Sequence, residues 1–186
     1  MIRLSQEGDG EAFGLLVERY KTKVFNLAYA WTQDRTAADD LAQEVFIKAY
    51  FSLPKFKFRS EFGTWLYRVA LNHIKDYLRK NKNKMKEISL EVLGEIDLTA
   101  ENVSSRQEEQ AGERRKALVQ AALQRLPEKH RTILTLRDMQ GLSYEEIAGI
   151  LGLSHGTVDS RLFRARQKLR EKLAPYLGRE GGEYGL

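Results

Sequence analysis

The chain has 186 residues, of which 42% are hydrophobic; it contains no cysteine and carries a formal net charge of +5. That length suffices for one medium domain or two small ones, and the lack of cysteine excludes both a disulfide framework and a thiolate metal site. There is no signal peptide and no apolar run approaching the roughly 18 residues of a membrane span, so we expect a cytoplasmic protein with no membrane insertion.

The charges lie in blocks along the chain. Residues 1–50 carry a net −2, residues 51–86 carry +8, residues 87–113 carry −7 and residues 114–173 carry +7. Two basic blocks that flank an acidic one favour two modules that bind a polyanion, joined by a linker that avoids it.

Two amphipathic helices are predicted near the N-terminus, at residues 11–31 and 36–52. The first follows the break Gly8-Asp9-Gly10, and we interpret its apolar face as core. The second helix is apolar on one side, and its other side groups acidic, amide and apolar residues, namely Asp40, Gln43, Glu44 and Ile47. From the pattern alone, this side fits either a docking surface, where charge steers and an apolar anchor binds, or an ordinary solvated surface.

Basic and aromatic residues alternate after Leu53-Pro54 ends the second helix. The alternating residues are Lys55, Phe56, Lys57, Phe58 and Arg59. Such cations can pair with phosphates, and unstacked bases can lie on the rings. The alternative is a loop whose phenylalanines lie in the core, and both interpretations stay open for either Phe alone.

A third helix is predicted from Glu61 to about Lys80. Its inner stripe consists of Phe62, Leu66, Val69, Ala70, His73 and Tyr77. We interpret His73 as a core histidine rather than a metal ligand, because the three histidines of the chain are scattered. Its outer stripe consists of Arg68, Asn72, Lys75 and Arg79, which can follow a phosphate backbone and reach one base edge. Trp65, at the border of the stripes, can pack or stack.

Periodicity fades from about Asn81 to Gly112, where the charge turns acidic. This predicts a flexible linker with room for a short helical piece. Helices are predicted at residues 113–126 and from Pro127, as the first helical residue, to Met139. We expect Pro175 to end the ordered part, ahead of a Gly-rich tail.

Between Leu142 and Leu169, two capped helices are predicted to meet across a short turn. Ser143 and Glu146 form a capping box for the first, Gly152 suits a left-handed C-cap, and Ser154 can cap the second. On the second helix, the apolar stripe is Val158, Leu162, Ala165 and Leu169, and the opposite side carries Ser160, Phe163, Arg164 and Gln167.

This pattern is typical of a helix-turn-helix. An arginine on its outer face can bind guanine O6 and N7, and an aromatic edge can touch a thymine methyl. The alternative is a surface helix with one exposed Phe. No catalytic motif is found along the chain, so we expect neither an enzyme nor a bound cofactor or metal.

Taken together, these motifs resemble the extracytoplasmic-function (ECF) group of bacterial RNA polymerase sigma factors, within the sigma-70 family. The resemblance covers residues 5–175 and rests on GDGEAFGLLVERY at 8–20, DDLAQEVFIKAYFSLPKF at 39–56, FGTWLYRVALNHIKDYLRK at 62–80 and LPEKHRTILTLRDMQGLSYEEIAGILGLSHGTVDSRLFRARQKL at 126–169. It implies an all-α fold of two small helical domains. Their expected bounds are region 2 at 1–82, a linker at 83–112, region 4 at 113–177 and a tail at 178–186.

The resemblance also implies a function, which is to direct RNA polymerase core to specific promoters in a stress or envelope response. Its implied partners are the β′ coiled coil and β subunit of the core, promoter DNA and an anti-sigma factor. Polymerase binding is implied for Asp39, Asp40, Gln43, Glu44 and Ile47. Contact with the −10 element is implied for Lys55, Phe56, Lys57, Phe58, Arg59, Trp65, Arg68, Asn72, Lys75 and Arg79. Contact with the −35 element is implied for His155, Thr157, Asp159, Ser160, Arg161, Phe163, Arg164 and Gln167.

Two features depart from the family pattern. Asp159 stands where most relatives have Lys or Arg; a carboxylate repels phosphate, yet it can accept a bond from cytosine N4. The segment before the GD-x-x-AF motif is short, so either Met1 is an internal start or the first helix is abbreviated.

Two other functions fit parts of the pattern. In a free-standing helix-turn-helix regulator, residues 8–80 would serve dimerisation or sensing, but a protein that binds only duplex does not need the basic-aromatic loop and outer stripe. In an interaction adaptor, two basic blocks would have no purpose, and nucleic-acid binding would depend only weakly on salt.

Overall fold

In a computed structural model, residues 1–81 and 105–177 are described, and they contain helices and turns without any strand. This confirms the all-α prediction. The helices are α1 (Ile2–Gln6), α2 (Gly10–Thr32), α3 (Arg35–Ser52), a 3-10 turn (Leu53–Lys55), α4 (Phe62–Lys80), α5 (Ser105–Gln124), α6 (Glu128–Leu134), a π-helical turn (Thr135–Met139), α7 (Tyr144–Leu151) and α8 (His155–Leu177). Most of the predicted linker, together with the tail at 178–186, lies outside the described residues.

By its internal contacts the chain divides into two units. The first unit comprises Met1–Lys82 and Thr135–Asp159, and the second comprises Asn83–Leu134 and Ser160–Leu186. This division follows contacts rather than chain order. The domain bounds expected from the family resemblance stay a prediction about which parts fold independently.

The core of the first unit lies where α2, α3 and α4 pack together. Its fully covered side chains include Leu27, Ala28, Ala38, Val45, Ala49, Ala70 and Ile74, each 0% exposed. Four of these are alanines, which let the helices approach closely and fill the space without voids. Asp9 caps α2 by accepting from the Ala12 amide at 2.9 Å, and Asp34 caps α3 by accepting from Thr36 and Ala37.

Helix α4 is buried on more sides than its predicted stripe. Tyr67, Leu71 and Ile74 are all 5% exposed or less, although they lie outside that stripe. Within the first unit, the Tyr67 hydroxyl donates to Gln140 Oε1 at 3.3 Å, so a second surface covers the helix. Burial, followed by the Glu146 carboxylate and Tyr20, raises the pKa of the Tyr67 phenol to about 12.

Helix ends differ from the sequence-based bounds where local signals compete. Helix α5 begins at Ser105, eight residues before the predicted start at 113. Pro127 precedes α6 instead of opening it, and its carbonyl accepts from the His130 and Arg131 amides. The α-helix predicted up to Met139 changes at Thr135 into a π turn, where the Gln140 amide donates to Thr135 O at 3.0 Å. Helix α8 passes through Pro175 and ends at Leu177.

The helix-turn-helix caps are confirmed in atomic detail. Ser143 Oγ accepts from the Glu146 amide at 3.1 Å, while Glu146 Oε2 accepts from the Ser143 amide at 2.7 Å. Gly152 adopts φ +65°, a left-handed conformation that suits glycine. Leu142 and Ile147, which flank this cap at the spacing of a hydrophobic staple, are both buried.

Removing the hydroxyl at position 143 tests this cap. We expect Ser143→Ala to lower the free energy of unfolding by about 1 kcal/mol, because the Glu146 amide loses its acceptor. Ser143→Thr keeps a hydroxyl and serves as the matched control. Urea unfolding followed by circular dichroism measures both; a threonine variant as unstable as the alanine variant would contradict the capping role.

The second unit contains a buried histidine that predicts acid sensitivity. His130 is 5% exposed, and its burial, with Lys129, Lys168, Arg161 and Arg164 adding to the effect, lowers its pKa from 6.5. The unfolded chain therefore binds a proton more readily than the folded one. The stability that neutral His130 contributes is complete above the unfolded pKa and is lost as the pH falls through the folded pKa.

We expect the melting temperature of the wild-type chain to fall more steeply between about pH 7 and pH 5 than that of His130→Leu, which cannot titrate. Scanning calorimetry across that range measures the two slopes. His155→Leu, at an exposed position, should keep the wild-type slope. Parallel curves for wild type and His130→Leu would rule out this contribution.

Candidate nucleic-acid interface

The outer side of α3 presents the predicted docking residues together. Asp39, Asp40, Gln43, Glu44 and Ile47 are all exposed, and Ile47 is 57% exposed. The buried alanines beneath fix which side of the helix faces outward. Gln43 donates to Asp39 Oδ2 at 3.0 Å, and Glu44 Oε2 lies 2.5 Å from His73 Nε2, so three members of the group have a side-chain partner.

The basic-aromatic loop separates its two phenylalanines. Phe56 is only 6% exposed, and its ring centroid lies 5.2 Å from that of Trp65 and 6.1 Å from that of Phe62. Of the two alternatives left open for Phe56, the structure favours a ring in the core. Contact of this ring with DNA bases stays a prediction. Phe58 is 48% exposed and adopts φ +55°.

Residues of α1, which no sequence pattern singled out, support this loop. Gln6 Nε2 donates to Leu53 O at 2.9 Å and to Phe56 O at 2.8 Å. The Arg3 guanidinium lies 5.6 Å from the Phe58 ring centroid, within cation–π range. These are contacts between distant parts of the chain, which spacing along a sequence cannot indicate. The loop cations Lys55, Lys57 and Arg59 are exposed.

The predicted outer stripe of α4 is only partly available. Asn72 is exposed, Lys75 is half-buried, and Arg79 Nη2 lies 3.0 Å from Asp76 Oδ1. Arg68 Nε, by contrast, donates to Gly149 O at 2.9 Å and to Ile150 O at 3.3 Å. These carbonyls belong to the last turn of α7, where a helix leaves acceptors unsatisfied and favours a cation.

Close backbone approach makes this contact possible. A Cβ added at Gly149 would lie 3.3 Å from Thr64 Cγ2, tighter than ordinary van der Waals contact. Gly149 and Thr64 therefore let α4 and α7, both in the first unit, lie near enough for Arg68 to reach the helix end. The Arg68 guanidinium is committed to protein acceptors in the described state.

Helix α8 separates its sides as predicted. In the predicted apolar stripe, Val158, Leu162 and Ala165 are at most 1% exposed and Leu169 is half-buried. On the opposite side, Phe163 is 72% exposed. The other predicted contact residues fall into two groups. Four are exposed, namely His155, Asp159, Arg164 and Gln167, and three are half-buried, namely Thr157, Ser160 and Arg161. The Phe163 ring therefore lies at the surface among polar and cationic side chains and does not contribute to the core.

The N-terminal turns of α8 are held in place locally. The Thr157 amide donates to Ser154 Oγ at 3.3 Å, which confirms the second cap. Arg164 Nε donates to Ser160 O at 3.1 Å, and its Nη2 donates to Ser160 Oγ at 3.3 Å. The guanidinium thus lies along its own helix with donors still available outward, since arginine has five N–H groups.

Among residues 1–81 and 105–177, no group of His, Asp and Glu side chains could hold a metal ion. Within the same ranges, no helix is long and apolar enough to cross a membrane.

Comparison with known proteins gives consistent results over nearly the whole chain. A family model described as Sigma-70 region 2 matches residues 16–84, and one described as Sigma-70, region 4 matches residues 116–169. The chain is 39% identical to the RNA polymerase sigma-H factor of Pseudomonas aeruginosa, covering 95% of this chain and 94% of that protein. It is 38% identical to the ECF RNA polymerase sigma-E factor of Haemophilus influenzae, covering 95% of each.

Solved structures agree. CnrH in complex with the cytosolic domain of CnrY superposes with a TM-score of 0.69 at 26% identity, covering 94% of this chain and 95% of that one. The sigma factor RpoE in complex with the anti-sigma factor NepR from Bartonella quintana gives 0.63 at 25% identity, covering 88% and 97%. The fold, the motifs and these likenesses together show that the chain belongs to the ECF group of the sigma-70 family, as a non-catalytic factor that directs RNA polymerase to promoters.

Proposed function

We propose that this sigma factor docks on the β′ coiled coil and β subunit of core RNA polymerase through α3, opens the −10 element with the basic-aromatic loop and α4, and reads the −35 element with α8. Core polymerase and promoter DNA are its partners, and the cytoplasm, where both are found, is its location. The sigma factor supplies binding energy to the DNA, and this energy offsets the few kcal/mol lost when a base leaves the base stack of the duplex.

The docking step rests on the composition of the α3 surface. Carboxylates at 39, 40 and 44 steer a basic partner, and Ile47 provides an apolar anchor among them. Ile47 is 57% exposed, and a partner that covers it buries apolar surface in the middle of a charged rim. This favours docking over the solvated alternative that the sequence pattern left open.

The melting step uses the groups that the fold leaves outward. Phe58 is 48% exposed and Trp65 is half-buried, and the buried ring of Phe56 packs against both. Lys55, Lys57 and Arg59 neutralise phosphates on a single strand, while Asn72 can bind one base edge. Arg68 contributes only after its bonds to the α7 carbonyls are exchanged for DNA.

The −35 step rests on the outer side of α8. Phe163 and Arg164 are adjacent, exposed and placed two turns into a helix whose opposite side is core. Arg164 is suited to guanine, and the Phe163 edge is suited to a thymine methyl. Asp159, which is also exposed, favours a cytosine nearby and weakens contact with phosphate. The promoter sequence should therefore differ from those of relatives with a cation at that position.

An anti-sigma factor is part of the same proposal. Both solved structures described above are complexes, and one of them is named as a sigma factor with an anti-sigma factor. We expect a comparable inhibitor here, serving a stress or envelope response. A free-standing DNA-binding regulator is not favoured, because the resemblance extends over both sigma regions and not the helix-turn-helix alone.

The exposed acidic-apolar surface of α3 is the observation that carries this proposal, because its carboxylates and its apolar anchor together suit a protein partner. Transcription with purified core polymerase and this chain on genomic DNA tests it, with transcript 5′ ends mapped by sequencing. We expect initiation at a discrete set of promoters sharing a two-part sequence. Failure to bind core, or tight operator binding by the isolated chain without polymerase, would overturn it.

Helix α8 generates a specific test. We expect Arg164→Ala to lower initiation by roughly 5- to 150-fold at promoters with the preferred −35 base and to relax the preference at that position, since a bidentate contact is worth about 1–3 kcal/mol. Initiation on a library of single −35 substitutions measures both effects. Lys172→Ala, exposed two turns further along the same helix, is the control. Unchanged base preferences in Arg164→Ala would remove Arg164 from base recognition.

A further inference from the structure

One buried histidine of α4 contacts two exposed residues of α3. His73 is 9% exposed, and its Nε2 lies 2.5 Å from Glu44 Oε2. Its Nδ1 lies 2.6 Å from Lys48 Nζ. Glu44 and Lys48 are four residues apart on α3, so the imidazole bridges one turn of the neighbouring helix from below.

The chemistry of the three groups fixes the proton on the ring. A lysine ammonium can only donate, so Nδ1 must accept from Lys48. A neutral imidazole carries its proton on one nitrogen, which leaves Nε2–H to donate to the Glu44 carboxylate. Both bonds include a charged partner, and such bonds are shorter and stronger than neutral ones. The ring is thereby held in one tautomer and one orientation.

The contact orders Glu44 without covering it. The Glu44 side chain is 57% exposed even though one of its carboxylate oxygens is hydrogen-bonded to the His73 ring. An ion pair this exposed adds little to folding stability, because water and salt screen it. Its larger effect is on orientation, since a long side chain that is already ordered loses less freedom when a partner binds.

We propose that His73 is a positioning residue for polymerase docking, which holds the Glu44 carboxylate in the orientation that the polymerase contacts. The inference rests on the proposed docking role of α3 and adds to it a residue that lies beneath the surface. The sequence suggested only a core histidine at this position. Lys48 acts indirectly, because its bond to Nδ1 fixes the tautomer in which Nε2–H can donate to Glu44.

Two conservative substitutions distinguish the contribution of His73 Nε2 from that of Nδ1. In His73→Gln the amide nitrogen reaches about as far as Nε2 and can donate to Glu44, whereas in His73→Asn the shorter amide reaches only the Lys48 side. We expect the Kd for core polymerase to rise roughly 2- to 12-fold in His73→Asn and to stay near wild type in His73→Gln. In a Glu44→Ala background, His73→Asn should cause no further loss. Fluorescence titration of labelled chain with core measures all five proteins.

Melting curves and a tautomer measurement complete the test. The variants should melt within a few degrees of one another, and ¹⁵N chemical shifts of the wild-type imidazole should place the proton on Nε2. Equal losses in His73→Gln and His73→Asn, a loss that persists without Glu44, or a proton on Nδ1 would each overturn the inference. A wild-type chain that does not bind core would instead overturn the proposed function, whereas binding that is indifferent to Glu44→Ala would overturn the inference alone.

Discussion

The packing of α4 against α2 and α3 is the constraint on which the other surfaces of the first unit depend. Ala70 and Ile74 are completely covered there, and Gly63 approaches Tyr20 so closely that a Cβ would lie 3.3 Å from its ring. Because that face of α4 is packed against α2 and α3, the side of α4 on which each remaining residue lies is also fixed. The loop before the helix, the stripe along it and the α3 surface beside it all take their positions from this one interface.

Local features of the fold could be predicted from the sequence because they depend on neighbours in the chain. A capping box needs only residues 143 and 146, and a left-handed C-cap needs only Gly152. The apolar stripe of α8 repeats with the period of the helix, so its opposite side, with Phe163, was also predictable. These are the elements in which sequence and structure agree in atomic detail.

What the sequence could not predict depends on residues that are distant in the chain. Phe56 and Phe58 occupy equivalent positions in an alternating pattern, and only the presence of Phe62 and Trp65 decides that the first is core. Tyr67 is buried because a second surface covers α4. His73 was correctly assigned to the core, yet its two partners lie 25 and 29 residues away on another helix. The π turn at Thr135 likewise has no spacing signal.

The bonds of Arg68 add an energetic argument about promoter opening. A guanidinium that serves the Gly149 and Ile150 carbonyls cannot serve a phosphate with the same N–H groups. In the proposed opening step, DNA binds this arginine, the last turn of α7 loses its cation, and the freed carbonyls hydrogen-bond to water instead. The exchange trades one set of charge-assisted bonds for another, so Arg68 adds less to DNA affinity than a free arginine would. In the proposed opening step, affinity for single-stranded DNA therefore comes mainly from the half-exposed ring of Phe58 and the exposed amide of Asn72.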